Sequence, residues 1–586
     1  MCGIIGYVGP KKASQVILAG LKKVEYRGYD SAGMAVFDGS KVSVLKDAGR
    51  LGAIQAKHDF LTLEGGIGIG HTRWATHGPP CERNAHPHTD CSMTVAVVHN
   101  GIIENHRALK AELEKKAHKF TSDTDTEIVA HLIEQDMRDG LAAEAAVKAT
   151  VARLDGAYAL GILIAGTGSL YLARRHAPLV IGQGKAGEMF FSSDIPALLE
   201  YTRDFILLNE GDIARIDAHG ATVWGADGHV ARRETLRVDW TPQMAAKGGY
   251  EHFMLKEILE QPAALSSAVS ADVSAALPIL KSSDRLSIVA CGTSYYAALV
   301  FQYLMHRQGK PCEAYIGSEY PSWTTGHEDA LVAVSQSGET ADTLSAVRLA
   351  KKNGAKIIAI TNVVGSTLSR EADVTLFIGV GPEVGVVATK SFTGQLCVLC
   401  KLAYTLAQNK QGLADLKQIP SVSAKILEGK HEDIKKLAKA FIKRRDFFFI
   451  ARGINYPCAL EAALKLKEIT YLHAEAYPGG ELKHGPLSML EKDVPVIAIA
   501  PAGPLMAKME SNIKECKARE AELIVLSDDE TMRSEGARSL SMPTVPQELV
   551  PLYYILPLQL LAYHMTVLAG KDPDQPRNLA KSVTVE

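Results

Sequence analysis

Ile288-Val-Ala-Cys-Gly-Thr-Ser-Tyr295 decides the fold of the C-terminal half, because Phe449-Ile-Ala-Arg-Gly-Ile-Asn-Tyr456 repeats it. Each is a short apolar run that breaks at a glycine and continues in helix-forming residues, a strand–turn–helix unit. The next apolar runs, Leu331–Val334 and Val494–Ile497, follow at nearly the same offset. Two copies of one lobe are therefore expected. Further buried-looking strands at Lys356–Thr361, Phe447–Ala451, Val494–Ala500 and Glu522–Leu526 alternate with long helical stretches. That alternation predicts α/β lobes with doubly wound parallel sheets.

Upstream the pattern changes. Residues 1–224 read as α+β: strands at Gly3–Val8, Ile67–His71, Met93–His99, Ala157–Ile164, Met189–Ser192 and Ile213–Ile216 outnumber helices such as Ala13–Val24. Thr124-Asp-Thr-Glu127 has the spacing of a capping box and predicts a second helix start. The charged stretch from Asp227, ending near Gly248-Gly249, reads as a linker. The expected domains are 1–226, a linker 227–249, lobes 250–420 and 421–576, and a tail 577–586, with the seam between the lobes in Ala414–Glu432.

With 586 residues, 47% hydrophobic and 22% charged, the chain has material for several cores, which excludes disorder as the dominant state. The net charge of −2 gives no global positive field for nucleic acid or an anionic membrane. Leu549–Gly570 is very apolar but is interrupted by Pro551, Pro557, Gln559 and His564, so a buried helix is expected rather than a membrane span. The opening Met-Cys-Gly-Ile-Ile-Gly has no signal-peptide character, and nine scattered cysteines do not suggest a disulfide framework. Cys397-x-x-Cys400 sits in an apolar helical run and reads as core. A cytoplasmic enzyme acting on small molecules is the expectation.

Three patterns carry chemistry. If Met1 is removed, Cys2 combines a thiol with a free α-amine, whose pKa of about 7.7–8.0 suits a general base; alone, it is equally an incidental cysteine beside the start. Val334-Ser-Gln-Ser-Gly-Glu-Thr-Ala-Asp-Thr343 joins a buried strand to a helix. Its hydroxyls and backbone N–H groups suit an anion, with Ser337 as a plain helix cap the alternative. Cys291-Gly-Thr-Ser294 is a similar turn, and no Gly-Lys-Ser/Thr follows, so nucleotide hydrolysis is unsupported. Lys465 and Glu468 lie one helical turn apart, which on its own describes a surface ion pair.

Cys2, Tyr26-Arg-Gly-Tyr-Asp-Ser31, His71-Thr-Arg-Trp-Ala-Thr-His77, His99-Asn-Gly-Ile-Ile-Glu-Asn105 and Thr124-Asp-Thr-Glu127 together closely resemble the N-terminal-nucleophile glutamine amidotransferases, over most of residues 1–224. The resemblance implies a four-layer αββα sandwich. It makes Cys2 the nucleophile on the glutamine carbonyl, Asn100 and Gly101 the oxyanion donors, and Arg73 the clamp on the α-carboxylate. Asp125 would hold the α-ammonium, Thr76 and His77 would line the pocket, and Trp74 would gate it. His77, His86 and His99 lack compact ligand spacing and read as structural or pocket histidines.

The Ser335 loop, Leu464-Lys-Leu-Lys-Glu468, Gly480-Glu-Leu-Lys-His-Gly485 and the ending Asp574-Gln-Pro-Arg-Asn-Leu-Ala-Lys-Ser-Val-Thr-Val-Glu586 resemble a sugar-isomerase (SIS) domain pair. The whole chain thus resembles the glutamine-dependent aminotransferases that isomerise a ketose phosphate. That implies fructose 6-phosphate and glutamine as substrates and glucosamine 6-phosphate and glutamate as products, at the entry to amino-sugar biosynthesis. It also implies sugar-phosphate contacts from Ser294, Ser335, Gln336, Ser337 and Thr340, backbone contacts from Val386 and Ala580, ring opening by His484, a Schiff base on Lys581, and proton transfer by Glu468 beside Lys465. No metal or organic cofactor, an internal ammonia channel and a homodimer built on the isomerase lobes are further implications. Two departures are visible: Tyr477-Pro-Gly-Gly480, where the family more often has alanine before the last glycine, and a short linker without the insertion of eukaryotic relatives. The latter suggests a bacterial-type enzyme without nucleotide-sugar feedback.

Overall fold

A computed structural model describes residues 2–323 and 328–584. These residues form two compact units, 2–245 with 580–584, and 246–323 with 328–579.

The first unit contains two antiparallel sheets. One has eight strands in the order Thr235–Arg237, Asp204–Leu207, Val180–Gln183, Met189–Ser192, Gly3–Val8, Ile67–Arg73, Ser31–Phe37 and Val42–Ala48. The other has six, from Gly220–Trp224 through Ile213–Asp217, Leu170–Arg175, Gly156–Ile164 and Val95–Ile103 to His88–Thr89. Ile4, Ala35 and Ile69 from one sheet and Val98, Leu163 and Leu172 from the other share one buried core, so the sheets face each other. Helix Ala13–Val24 packs Val16, Ile17 and Leu21 against the outer face of the first sheet. Helices His106–Lys115, Glu127–Arg138 and Ala143–Val151 cover the second. The result is the αββα layering that the sequence led us to expect.

Two local expectations need correction. The stretch 227–249 carries the strand Thr235–Arg237, which pairs with Asp204–Ile206, while Val238 is buried in the same core. Only one side of an edge strand is covered, so its charged composition disguised it as a linker. The helix expected after Thr124-Asp-Thr-Glu127 is present as Glu127–Arg138, but the capping box is not: the Glu127 carboxylate accepts from the backbone N–H groups of Thr121 (2.8 Å) and Ser122 (2.7 Å) rather than closing on Thr124.

The second unit holds two five-stranded parallel sheets with the same topology. Their orders are Cys312–Ile316, Leu286–Ala290, Ala330–Val334, Lys356–Thr361, Val374–Phe377, and His473–Pro478, Asp446–Ala451, Pro495–Ile499, Glu522–Ser527, Arg538–Ser541. Numbered within each lobe both read 2-1-3-4-5, whose ligand crevice lies where strands one and three diverge. No linker separates the lobes: helix Ile419–Phe441 runs through the expected seam, and a single hydrophobic core spans both sheets. The apolar stretch near the C-terminus is helix Val550–Leu568, with Pro551 in its first turn, Pro557 inside it, and almost every side chain buried. Among the described residues no single helix is long and apolar enough to cross a membrane; one bent pair of short helices, Gln261–Ser270 with Ser274–Ser282, passes by length and composition alone. Cys397 and Cys400 are buried in helix Lys390–Leu406, and burial pushes the Cys397 thiol up to about 12.

Candidate functional site

In the first unit, strand Gly3–Val8 runs between Met189–Ser192 and Ile67–Arg73, which puts Cys2 beside the end of the latter. The half-buried Cys2 Sγ accepts from the Trp74 backbone N–H at 3.3 Å. The Asn100 side chain, from strand Val95–Ile103, donates to the Cys2 carbonyl at 2.9 Å. Burial raises the Cys2 thiol pKa above its ordinary value, so the thiol needs a base before it can attack. Gly101 has φ +128°, and a Cβ there would lie 2.0 Å from the Ala157 carbonyl oxygen, so only glycine fits.

Arg73 ends its strand 2% exposed, with its guanidinium donating to the carbonyls of His77 and of Gly78 (3.2 Å). Among the described residues it forms no salt bridge, although Asp30, Asp125 and Cys2 lie close enough to act on it electrostatically. A buried cation held by carbonyls alone is suited to an incoming carboxylate. Asp125 is buried and accepts from the Ile103 N–H at 2.7 Å, with His99 Nδ1 3.9 Å away. Trp74 meets Tyr29 edge-on at 5.6 Å, and the Asp30 carboxylate takes the Ala75 N–H at 2.9 Å. His77 packs edge-on against His106, whereas Thr76 is exposed. His86 and His99 both reach the Thr126 hydroxyl, at 3.0 and 2.9 Å.

In the second unit, the C-terminal ends of Leu286–Ala290 and Ala330–Val334 are neighbours in register, Ala290 opposite Val334. Ser294 lies in the first turn of helix Gly292–Arg307, where its hydroxyl accepts from Gln395 at 3.0 Å. Ser335 Oγ takes the Gly338 N–H at 3.1 Å and lies 2.9 Å from the Thr340 hydroxyl, and Ser337 Oγ accepts from the Glu339 N–H at 3.2 Å. Gln336 is half-buried in this turn. Gly338 takes φ +64°, and a Cβ there would meet Ser366 Oγ at 2.2 Å. The turn is thus a compact loop of hydroxyls at the crevice of the 2-1-3-4-5 sheet. The matching turn of the other lobe, Pro501-Ala-Gly-Pro504, has no hydroxyls, so only one lobe carries the cradle.

Lys465 is not on the surface. It is 1% exposed, ion-paired to Glu468 at 2.7 Å and Glu461 at 3.3 Å, and donates to Thr293 Oγ at 3.0 Å. Burial pushes the Glu461 carboxyl up, while its two carboxylate neighbours hold Lys465 charged. Glu461 and Thr293 escaped the sequence reading, although Glu461 and Lys465 have the spacing of an intrahelical pair. Val386 donates its N–H to the Asp574 carbonyl at 3.2 Å. His484 is exposed at the end of the 3-10 turn Gly479–His484. Ala580 and Lys581 group with the first unit, not with the Ser335 loop. A further set of potential metal ligands, Cys91, His118, His131 and Glu134, converges in the first unit.

Comparison with known families matches residues 71–200 to the glutamine amidotransferase domain and residues 279–404 and 440–569 to the SIS domain. The chain is 50% identical to the glutamine–fructose-6-phosphate aminotransferase (isomerizing) of Pyrococcus horikoshii and 49% identical to that of Thermococcus kodakarensis, each over the full length of both chains. The relative from Thermotoga maritima is 44% identical, again over both full lengths. Among solved structures, the C-terminal domain of glucosamine-fructose-6-phosphate aminotransferase from Francisella tularensis superposes with a TM-score of 0.54 at 36% identity, covering 56% of this chain and 100% of that one.

Proposed function

Because the chain belongs to the family of isomerising glutamine–fructose-6-phosphate aminotransferases, we propose a division of labour between its two units. The overall reaction takes fructose 6-phosphate and glutamine to glucosamine 6-phosphate and glutamate. The observation that carries the residue assignment is the convergence on Cys2 of Asn100, a buried Arg73 without a carboxylate partner, and Asp125.

Once Met1 is removed, the Cys2 α-amine takes the thiol proton and the sulfur attacks the glutamine side-chain carbonyl. The oxyanion is stabilised by the Asn100 amide and the Gly101 N–H. Arg73 pairs with the α-carboxylate and Asp125 with the α-ammonium, while Thr76, His77 and Trp74 line the pocket. Collapse of the tetrahedral intermediate expels ammonia and leaves a thioester, which water hydrolyses to glutamate.

On the sugar side, Ser294, Ser335, Gln336, Ser337 and Thr340 hold the phosphate at the strand ends, with Val386 and Ala580 contributing backbone. His484 assists ring opening, and Lys581 condenses with the open-chain ketone, releasing water. Ammonia then displaces Lys581. Glu468 carries a proton from C1 to C2, with Lys465 holding that carboxylate in place, and the ketose derivative becomes the amino-aldose. The proposal includes a cytoplasmic homodimer built on the isomerase lobes. Incubating the protein with glutamine and fructose 6-phosphate and measuring glucosamine 6-phosphate tests the reading. Absence of product from chain whose intact mass shows Met1 removed overturns it.

A further inference from the structure

The outer side of the first unit gathers four side chains that the glutamine chemistry does not use. Cys91 lies in the turn after strand His88–Thr89, His118 follows helix His106–Lys115, and His131 and Glu134 are one turn apart on helix Glu127–Arg138. His118 Nδ1 and His131 Nδ1 are 3.2 Å apart. Glu134 Oε2 lies 3.0 Å from the first and 3.3 Å from the second. Cys91 Sγ lies 4.0 and 3.7 Å from the same two nitrogens, and all four ligand atoms fall within 4.8 Å of one another. Tetrahedral bonds of about 2.0–2.3 Å to nitrogen, oxygen and sulfur place ligand atoms roughly 3.3–3.7 Å apart. The observed separations bracket that range.

Within the cluster Glu134 Oε2 accepts from the Cys91 backbone N–H at 3.2 Å, and two imidazole nitrogens face each other and the same oxygen. Gln135 donates its Nε2 to Asp139 at 2.9 Å, which turns its Oε1 toward His118 Nε2 at 3.0 Å. His118 Nε2 must therefore carry a proton, and in the neutral ring the Nδ1 lone pair points at the Glu134 carboxylate and at His131. His131 Nε2 lies 3.7 Å from the nearest Glu127 oxygen, beyond hydrogen-bond distance, while its Nδ1 faces Glu134 Oε2 at 3.3 Å. His118 Nδ1, His131 Nδ1, Glu134 Oε2 and Cys91 Sγ converge on one point. With both imidazoles neutral and Nδ1 unprotonated, a cation there takes a lone pair from each group, and the outward contact of His118 Nε2 to Gln135 is the kind that orients a metal-bound histidine.

We propose that Cys91, His118, His131 and Glu134 bind one divalent metal ion of zinc type. A thiolate and a carboxylate with two neutral imidazoles balance a charge of +2, and binding releases the Cys91 proton to solvent. Four protein ligands fill a tetrahedron, so the site is structural. Cys91 is exposed, which gives the ion a path in, while His118, His131 and Glu134 are buried. The ion ties the Asp90–Thr94 turn and the chain after Lys115 to the helix whose approach carries Asp125 and Thr126. Arg138 pairs with the second Glu134 oxygen, and Glu127 continues to Thr121 and Ser122, so the site backs the segment that presents Asp125.

Elemental analysis of the full chain, purified without chelator or polyhistidine tag, should find about one zinc per chain. Cys91→Ser and His118→Gln should lower that content at least tenfold. Chelator-stripped protein reloaded with Co²⁺ should show tetrahedral cobalt bands with a thiolate charge-transfer band, which Cys91→Ser removes while leaving the far-UV spectrum unchanged. Zinc should raise the unfolding temperature of stripped wild-type chain but not of Cys91→Ser. Metal-free wild type that binds neither Co²⁺ nor Zn²⁺ after reduction of Cys91 overturns the proposal, whatever its activity.

Discussion

At Asn100 one side-chain amide is proposed to stabilise the oxyanion together with the Gly101 N–H. Strand Val95–Ile103 delivers it next to Cys2, and Gly101 follows with a backbone conformation that any side chain would push into the Ala157 carbonyl. Asn100→Ala removes a donor that strengthens only as the carbonyl becomes an oxyanion. The expected result is a fall of about 10²–10³ in kcat for glutamine hydrolysis, with little change in KM. Steady-state glutaminase kinetics decide it: an unchanged kcat would place the oxyanion elsewhere. The role proposed for Arg73 falls at a different point in the cycle. Its cost is already present in the free protein, where burial lowers its pKa and its guanidinium donates to backbone carbonyls. A carboxylate arriving there would relieve that cost, which is why the proposal places the residue in binding.

The strands behind these residues are lined with neutral histidines. His71 and His86 pack at 4.0 Å with their rings tilted by 36°, and His86 meets His88 edge-on at 4.6 Å. Burial holds His71 down to about 3, and His86, His88 and His99 are also held below the ordinary value. In the unfolded chain these rings take protons near pH 6.5, and the folded state refuses them. Their contribution to stability is therefore complete above about pH 6.5 and is lost as pH falls toward the folded values, by up to about 1.4 kcal/mol per histidine per pH unit. Calorimetry of the full chain at about pH 7.5 and 5.5 should show the transition of the first unit moving down, and His88→Gln should make that drop smaller. A pH-independent transition would contradict the neutral cluster. Such clusters are hard to read from sequence because their members come from three separate strands and the loop before one of them. What was legible followed short-range periodicity: Gly3–Val8, Ala13–Val24 and Lys356–Thr361 lie where the apolar pattern put them. The edge strand Thr235–Arg237, which exposes one side, was not, nor was the helix that runs unbroken through the seam. The Cys91 cluster escaped for a related reason. Only His131 and Glu134 are near in sequence, and the other two ligands arrive through the sheet and a neighbouring helix.

Across the whole molecule the two chemistries are joined by one covalent chain, and its last residues test how they are divided. Residues 580–584 pack as part of the amidotransferase unit, whereas the role proposed for Lys581 is with the sugar. If that role is right, the lysine is dispensable for the glutamine half-reaction, whose proposed groups all lie on strands and loops between Cys2 and Asp125. Lys581→Ala should then retain measurable glutamine hydrolysis in the absence of sugar while glucosamine 6-phosphate formation falls below detection. A Schiff base also leaves a mark that packing alone does not. Borohydride added with fructose 6-phosphate should reduce the imine and add the mass of the sugar phosphate to wild-type chain, on a peptide containing Lys581, and should leave Lys581→Ala unlabelled. Sugar synthesis surviving in the variant, or label found on a different lysine, would remove Lys581 from the reaction and leave the tail a packing element of the first unit.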